Sequence, residues 1–571
     1  MSFGLEHRAQ HLRWWRGHHA LVWWITASSV AFSLAYSILT PVYRAPDEQK
    51  HVDMIVRYGS SLGYPDPRVR EFFEPGVWGS TRLAGPNLDP ELGFRPPLSV
   101  EMAQPRGFRP TFRELAESQD PSAIPRRNQL TQHPPLYYVL ASSVGSFVGA
   151  VLPEEAWTWD REVWLYRTLS VVLVTPLPLL AAAAARVLSI SSHETVMAAA
   201  AMFLIPMLSY IGAVVNNDAT VILGTAVAVT AGVVHLVRPS WKSAAVAAGG
   251  AAVAAWSKST GATSLPWVLL VVLVAAVPVW RAGRRREALV HLGVATSIAV
   301  VGAGRYLTNL VRFGDPQPSS FTRRVIEGAE TPLWPFLQTW FERVGGTFWG
   351  QPARRTGVTL AGWVVTSLTV AVVLATVSLV VVVAFRRRHR LVVVLLGVLG
   401  LVQLGLLFRA NLGHYLRTGG YAAMQGRYLY SVLVPLALLL ALFLAEVVPK
   451  RVRRWAVATA IAIGAALHLV LAGAMLDRFW VGKGVGGRVE SVLAWSPLPD
   501  GGSLVVLALP FVIIAFMSIA VLRSGLAESR LTDVLIGSRG ATWEPWALVR
   551  RAVVACGVVV AAAALMIAVV D

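Results

Sequence analysis

Long apolar runs alternate with short polar segments along nearly the whole chain. Thirteen of these runs approach the ~20 mainly apolar residues that a helix needs to cross a bilayer. They cover residues 20–41, 165–187, 194–214, 219–237, 243–262, 264–280, 288–304, 357–384, 391–408, 431–449, 455–475, 503–522 and 549–570. The pattern predicts an all-α polytopic membrane protein, a transmembrane helix bundle of about 13 spans.

Basic residues lie in every second connection between these runs. If the N-terminus is cytoplasmic, the even-numbered connections are cytoplasmic too, because each span reverses the direction of the chain. The basic residues of these segments are Arg8, Arg13 and Arg16 at the N-terminus, then Arg186, Arg238 with Lys242, Arg281 to Arg286, Arg386 to Arg390, Lys450 to Arg454, Arg523, Arg530 and Arg539. Since arginine and lysine of short loops stay in the cytoplasm, the odd-numbered loops are predicted to be extracytoplasmic.

The apolar segment 134–152 is predicted to be a juxtamembrane helix instead of a span. If it crossed the bilayer, every later basic cluster would move to the outer side. The first extracytoplasmic loop then covers residues 43–164 and the second large one residues 305–356. Residues 1–571 are predicted to form a single integrated membrane domain whose first span is retained.

Composition supports a membrane protein and argues against a nucleic-acid-binding protein and against a disulfide-linked or cysteine-rich metal protein. The chain is 55% hydrophobic and 15% charged, with a mean hydropathy of +0.55. Its net charge of +19 does not indicate a nucleic-acid partner, because the basic residues are divided among short loops. The single cysteine, Cys556, excludes an intrachain disulfide and a cysteine-rich metal site.

Several polar segments that the spans do not need fall on the same predicted side. They are Pro46–His51, Gln132–Tyr138, Asn216–Asp218 and Met424–Tyr430, with Arg305–Pro316 and Lys258 nearby. Each has a structural alternative: acidic residues favour a first helical turn, Asn caps a helix, His before Pro-Pro marks a helix start, and Arg snorkels. Ionisable residues at membrane depth are costly and tend to mark function. Their common side favours one functional site.

Four of these segments carry a resemblance to a known superfamily. "APDEQKHVDMIVRYG", "QHPPLYYVLAS", "NNDATVILGTAVAV" and "QGRYLYSVLVPLALLLAL" are similar, in content and order, to the GT-C membrane glycosyltransferases. The match is nearest to an uncharacterised bacterial branch related to protein mannosyltransferases and lipid A aminoarabinose transferases. Many relatives have Lys where this chain has His133, and some carry a large extracytoplasmic C-terminal domain.

The resemblance implies a reaction and roles for residues. The enzyme would move a hexosyl or pentosyl group, with inversion, from a polyprenyl-phosphate donor to a hydroxyl of an envelope glycan, lipid or protein. Asp47 would be the general base with Glu48 beside it, and Arg427 would bind the donor phosphate. The other candidate binding residues are His51, His133, Asn217, Asp218, Lys258, Arg305, Gln425 and Tyr428.

The same motifs leave a metal cofactor open, and the composition and charge pattern indicate the location. Asp47 with His51 and Glu48 with His51 have spacings that share a helix face, so a divalent metal ion stays an alternative. Two acids and one histidine do not make a coordination shell, and no metal ligand is assigned. A bacterial plasma membrane is expected, with a cytoplasmic N-terminus and an extracytoplasmic site. Two other functions stay open: a flippase or transporter of lipid-linked sugars, and a non-catalytic scaffold.

Overall fold

The computed structural model describes residues 20–60, 65–86, 95–119, 126–188, 191–319, 330–352, 358–386 and 389–526. The regular secondary structure of this part of the chain is helical except for a two-stranded antiparallel ribbon, β1 (Glu71–Phe72) and β2 (Arg127–Asn128). The predicted all-α membrane bundle is confirmed. The predicted last span, 549–570, lies outside the described residues.

Twenty α-helices follow one another along the described chain. They are α1 Ala20–Leu39, α2 Glu48–Ser60, α3 Pro75–Leu83, α4 Phe112–Glu117, α5 Leu136–Val151, α6 Trp159–Val174, α7 Leu177–Val187, α8 Ser192–Phe203, α9 Pro206–Gly212, α10 Asp218–Val237, α11 Trp241–Ala255, α12 Ser264–Arg281, α13 Arg285–Phe313, α14 Leu333–Trp349, α15 Gly362–Arg386, α16 Arg390–Thr418, α17 Leu433–Glu446, α18 Lys450–Phe479, α19 Gly484–Trp495 and α20 Asp500–Leu526.

The described residues contain ten helices long and apolar enough to cross a membrane. An eleventh is added if α8 and α9, which meet at a bend of 62°, count as one span. The predicted number of about 13 is therefore not confirmed. The predicted span 243–262 corresponds to α11, whose 15 residues extend about 22 Å. Lys258, in the turn after α11, contacts the start of α10, so the two helices run antiparallel.

Contacts between helix ends place several helix termini at one end of the bundle. The indole of Trp480, after α18, donates a hydrogen bond to the carbonyl of Leu39 at the end of α1 (2.8 Å). Asp218, at the start of α10, pairs with Lys258, which follows α11. These contacts define one end of the bundle, called the site end below. The long loop between α1 and α6 lies there.

The opposite end collects ion pairs between basic residues and helix termini. Arg453, near the start of α18, pairs with the buried Glu194 of α8 (2.6 Å). Arg386, at the end of α15, lies 3.9 Å from Glu446 of α17. Arginines predicted to share one side of the membrane therefore share one end of the bundle.

Helices α10 and α11 approach closely, and this packing fixes part of the site end. A Cβ at Gly224 would lie 2.8 Å from the carbonyl oxygen of Gly250, and a Cβ at Gly250 would lie 2.7 Å from that of Gly224. Small residues allow membrane helices to pack backbone against backbone. The two glycines thereby hold the ends of α10 and α11 at a fixed separation.

Helix α5 is the segment predicted to be juxtamembrane. Its 16 residues extend about 24 Å, which is short of the ~30 Å hydrocarbon core. One face, with Tyr138 and Gly145, is buried, whereas Phe147 and Val151 on the other are 70% and 69% exposed. An apolar exposed face beside the bundle suits a helix that lies against lipid.

Candidate functional site

Asp47 ends the loop between α1 and α2 in a left-handed backbone conformation (φ 59°). Aspartate tolerates this conformation better than most residues. Its carbonyl oxygen accepts hydrogen bonds from the backbone N–H groups of Lys50 and His51 (2.9 and 3.1 Å). Its carboxylate Oδ1 accepts one from Nζ of Lys50 (2.6 Å), and the side chain is 37% exposed. The carboxylate is thus fixed in place yet accessible.

The surroundings of Asp47 keep it ionised. Burial alone would raise the pKa of Asp47. The charge and hydrogen bond of Lys50, and then the charge of Arg427, outweigh burial and lower this pKa to about 2. Arg427 is therefore close enough to Asp47 to act on its ionisation.

Two buried histidines belong to the same group of polar side chains, and both are neutral. Nδ1 of His51 lies 3.1 Å from the hydroxyl of Tyr138 on α5, and the two rings stack. Burial is the largest cause that lowers the pKa of His51 well below its usual value. Burial and the charge of Lys258 lower the pKa of His133 to about 3. Both imidazoles can exchange hydrogen bonds with a ligand without adding charge.

Asp218 is positioned by the turn that starts α10. The side chain of Asn216 accepts hydrogen bonds from the backbone N–H groups of Asp218 and Ala219 (2.8 and 3.3 Å), so Asn216 caps the helix. Oδ1 of Asp218 pairs with Nζ of Lys258 at 2.5 Å, and both side chains are at most 10% exposed. The structural alternative for Asn216 is confirmed. Asn216 thereby fixes the position of Asp218 at the start of α10.

The segment that carries Arg427 is packed tightly against α14. A Cβ at Gly426 would lie 2.1 Å from the carbonyl oxygen of Val344, so only glycine fits there. The N–H of Gly426 donates to the hydroxyl of Thr347 (2.6 Å). The 3₁₀ helix Gly426–Val432 that follows is thereby fixed, and Arg427 with it.

Arg427 keeps hydrogen-bond donors that nothing in the described chain uses. Its Nε lies 3.7 Å from Oδ2 of Asp218, which is too long for a hydrogen bond. Nε and Nη1 are both buried without a hydrogen-bond partner among the described residues, and the side chain is only 5% exposed. Unpaired donors on a buried cation are costly. Such donors suit an anionic ligand.

One aromatic ring contacts both cations of the site. Nζ of Lys258 is 4.7 Å from the ring centroid of Tyr428, and Cζ of Arg427 is 5.8 Å from it. The ring faces a lysine and an arginine, both of which it attracts. Tyr428 therefore makes a cation–π contact with each of the two positive charges of the site.

The structure thus brings seven of the predicted site residues together at the site end. They are Asp47, His51, His133, Asp218, Lys258, Arg427 and Tyr428. The group combines one accessible carboxylate, two neutral imidazoles and two cations. It can accept a proton and bind an oxyanion at neighbouring positions.

Three further predicted residues lie at the edge of this group. The side chain of Asn217 donates to the carbonyl of Ser257 (2.9 Å), and its Oδ1 is buried without a described partner. Arg305 lies inside α13 and donates to the carbonyl of Gln132 (3.2 Å), next to His133. Gln425 precedes the 3₁₀ helix of Arg427 and is half-buried. These residues hold the loops of the site in position.

Glu48 lies apart from its neighbour in sequence. Its carboxylate is fully buried and forms a bidentate pair with Arg167 of α6 (2.8 and 2.7 Å). It also accepts from the backbone N–H groups of Tyr43 and Val215 (2.8 and 3.1 Å). All its acceptor positions are directed into the protein. This placement favours a structural role for Glu48 over the catalytic role suggested by the sequence.

The described residues do not fit a metal ion. They contain no group of three or more His, Cys, Asp or Glu side chains that could hold one. Glu48 turns towards Arg167, and Asp47 precedes the helix, so neither shares a helix face with His51 as the spacing suggested. Lys50 and Lys258 already pair with the two carboxylates beside His51.

Sequence reasoning missed the partners that position the site. Arg167 stands alone in the apolar run of α6, and an ionisable residue in a span is itself a signal. Lys50 belongs to the polar segment that contains Asp47, and its spacing of three residues permits the ion pair. Tyr138 and Thr347 carry no comparable signal, because their roles depend on tertiary contacts.

Comparisons with known proteins match the part of the chain that contains the site. Residues 31–439, which include the whole site, match the family described as "Predicted membrane protein (DUF2142)". The crystal structure of ArnT from Cupriavidus metallidurans in the apo state is similar over 96% of this chain and 77% of that chain, with 15% identity and a TM-score of 0.42. The structure of ArnT bound to undecaprenyl phosphate is similar over 96% and 78%, with 13% identity and a TM-score of 0.41.

No curated protein sequence matches the chain. At TM-scores below 0.5, no assignment of function rests on the two ArnT structures.

Proposed function

The chain belongs to the DUF2142 family of membrane proteins, and we propose that it is a GT-C type glycosyltransferase. It moves a hexosyl or pentosyl group from a polyprenyl-phosphate donor to a hydroxyl of a cell-envelope glycan, lipid or protein. The reaction takes place at the site end of the bundle. The sequence resemblance suggests this class, and the geometry of the site supports it.

One observation carries the proposal. Arg427 is a buried cation with two N–H donors that have no partner among the described residues, and its charge reaches the accessible carboxylate of Asp47. An arginine with free donors binds phosphate oxygens well. A carboxylate beside it can receive the proton of an attacking hydroxyl. The two requirements of sugar transfer from a lipid phosphate are thus met at one place.

The proposed step is a single displacement. The acceptor hydroxyl oxygen forms a bond to the anomeric carbon, and the bond from that carbon to the phosphate oxygen breaks. The polyprenyl phosphate leaves as an anion, held by Arg427 and Lys258, and the hydroxyl proton passes to Asp47. The configuration at the anomeric carbon inverts. With a pKa of about 2, Asp47 is a weak base, so it receives the proton late, when the attack is advanced.

The position of the site suits a donor carried by a lipid. Helix α5 presents an apolar face beside the site, and α5 itself contacts it through Tyr138. Each methylene of a polyprenyl tail placed against such a surface contributes about 0.8 kcal/mol. The distribution of arginines supports an extracytoplasmic site in a bacterial plasma membrane, with the N-terminus in the cytoplasm.

The test begins with the lipids that co-purify with the full-length protein. Mass spectrometry identifies the polyprenyl-phosphate sugar, and that lipid is then used in a transfer assay with isolated envelope fractions. Asp47→Asn is expected to reduce turnover by at least about 100-fold. The matched control is Asp66→Asn, which removes a carboxylate paired with Arg68 on the surface of the same loop. Equal activity of wild type and Asp47→Asn would overturn the proposed role of Asp47.

A further inference from the structure

Arg44 and Arg95 both lie in the long loop that contains Asp47, and each contacts the backbone of the residue next to the other. Nη2 of Arg44 donates to the carbonyl of Pro96 (2.8 Å), and Nη1 of Arg95 donates to the carbonyl of Tyr43 (3.4 Å). Each guanidinium thus binds the residue next to the other arginine. The reciprocal contacts bring two like charges near each other, and Arg44 precedes Asp47 by three residues in the sequence.

A third arginine borders this pair. Arg126 precedes β2, whose Asn128 donates to the carbonyl of Lys50 (2.8 Å), so its segment lies along the start of α2. Besides burial, the charge of Arg95 lowers the pKa of Arg44, and the charge of Arg126 lowers that of Arg95. Among the described residues, none of the three has a carboxylate within ion-pair distance.

The innermost arginine is buried and has an unused donor. Arg44 is 91% buried, and its Nε has no hydrogen-bond partner among the described residues. Burial and the charge of Arg95 lower the pKa of Arg44 to about 9. A carbonyl neutralises no charge, so the contacts with Pro96 and Tyr43 position the guanidinium groups and leave their charges unbalanced. Buried cations without counter-charge are costly.

We propose that Arg44, Arg95 and Arg126 bind a phosphate-type oxyanion on the acceptor that approaches Asp47. The inference rests on the proposed function, because Asp47 is where the acceptor hydroxyl would lie. It narrows the acceptor to molecules that carry an anionic group near the reacting hydroxyl, such as a phosphorylated glycan. Paired arginines provide several N–H donors for the oxygens of such a group.

The test separates this anion from the donor phosphate. Full-length protein carrying Arg427→Gln is placed in phosphatidylcholine nanodiscs, and binding of inorganic phosphate is measured by isothermal titration. Arg427→Gln weakens the donor site in every sample, so a difference in phosphate binding between the variants reports on the arginine cluster. Arg95→Gln and Arg44→Gln are each expected to weaken phosphate binding at least about tenfold. Arg44→Lys, which keeps the charge, is expected to retain more of it, and unfolding curves show that each variant is folded.

Arg113→Gln is the matched control, since Arg113 is an exposed arginine of the same loop that pairs with Glu117 and Glu154. It should bind phosphate like the parent. Absence of phosphate binding in the parent, or equal binding in Arg95→Gln, would overturn the oxyanion site. Displacement of phosphate by phosphatidylglycerol in the nanodisc would assign the site to a lipid headgroup and overturn the acceptor assignment. None of these outcomes depends on transfer activity, so the proposed function is tested separately.

Discussion

Arg427 lies 3.7 Å from Asp218, measured from Nε to Oδ2, although the two residues come from distant parts of the chain. Asp218 forms its short contact with Lys258 instead, at 2.5 Å. The carboxylate therefore balances the charge of Arg427 without using its donors. This arrangement keeps the guanidinium in a buried position and leaves N–H groups for an anion.

The ion pair of Lys50 and Asp47 should set the acid limit of activity. The folded-state pKa of Asp47 is depressed to about 2, so its carboxylate form is present above that pH and lost only as the pH falls through it. Removing Lys50 leaves burial opposed mainly by Arg427, so this pKa should rise towards its usual value of about 4. Lys50→Gln should therefore lose activity as the pH falls from 6 to about 4, a range in which the wild type stays constant.

The pH dependence of the transfer rate checks this expectation. Lys242→Gln, which removes a lysine at the start of α11, is the control and should follow the wild type. An identical profile for Lys50→Gln and wild type would show that Lys50 does not control the ionisation of Asp47.

The buried pair of Glu48 and Arg167 should be needed for stability. Glu48→Gln leaves the charge of Arg167 buried without a counter-charge, which costs about 3–5 kcal/mol. Thermal unfolding should detect a large drop in the midpoint, while turnover per folded molecule stays near that of the wild type. Unchanged unfolding together with lost turnover would restore a catalytic role to Glu48.

Asp53 should make the loop stability depend on pH. Asp53 is fully buried and accepts hydrogen bonds from Asn128 and from the backbone of Glu74, at 2.7 and 2.6 Å. Burial raises its pKa to about 7 in the folded state. Because the folded pKa is the higher one, the folded protein gains stability on protonation, which is lost as the pH rises from about 4 to 7.

The free energy of unfolding should fall across this range by up to about 1.4 kcal/mol for each pH unit. Asp53→Asn removes this ionisation and should remove the slope, although the variant is less stable because the amide cannot accept both hydrogen bonds. Thermal unfolding at pH 5, 6, 7 and 8 measures the slope. The same slope in both proteins would show that another group is responsible.

The sidedness of the bundle can be tested with single cysteines. Cys556 is the only native cysteine, so Cys556→Ser provides a background without thiols. In that background Arg113→Cys should react with a membrane-impermeant maleimide on intact cells. Arg281→Cys, at the end of α12, should react only after the cells are permeabilised. The reverse pattern would place the site end in the cytoplasm.

The hydrophobic pattern predicted which segments are helical but not where several of them end. Helix α6 begins at Trp159, six residues before the predicted span, because Arg109 pairs with Asp160 at 2.5 Å and so allows this acid to be buried. Helix α13 continues through Arg305 to Phe313, past the predicted end of its span. A charged residue ends an apolar run in the sequence, whereas a tertiary partner lets the helix continue.

The order of the polar motifs predicted which residues meet, but not the direction of each side chain. Asp47 and Glu48 are adjacent, and the sequence gives no reason to separate their roles. The left-handed backbone of Asp47 and the position of Arg167 on another helix direct Glu48 into the protein and leave Asp47 accessible. Both features depend on the folded chain, so the local sequence does not contain them.

The occupancy of the site by its lipid donor tests the central claim most directly. Native mass spectrometry of the full-length protein, supplied with the polyprenyl-phosphate sugar identified by co-purification, measures the bound fraction for wild type, Asp47→Asn and Arg427→Gln. Asp47→Asn should bind the donor like the wild type but should not turn it over. Arg427→Gln should bind it at least about tenfold more weakly. Equal donor binding by Arg427→Gln and wild type would show that Arg427 does not bind the donor phosphate.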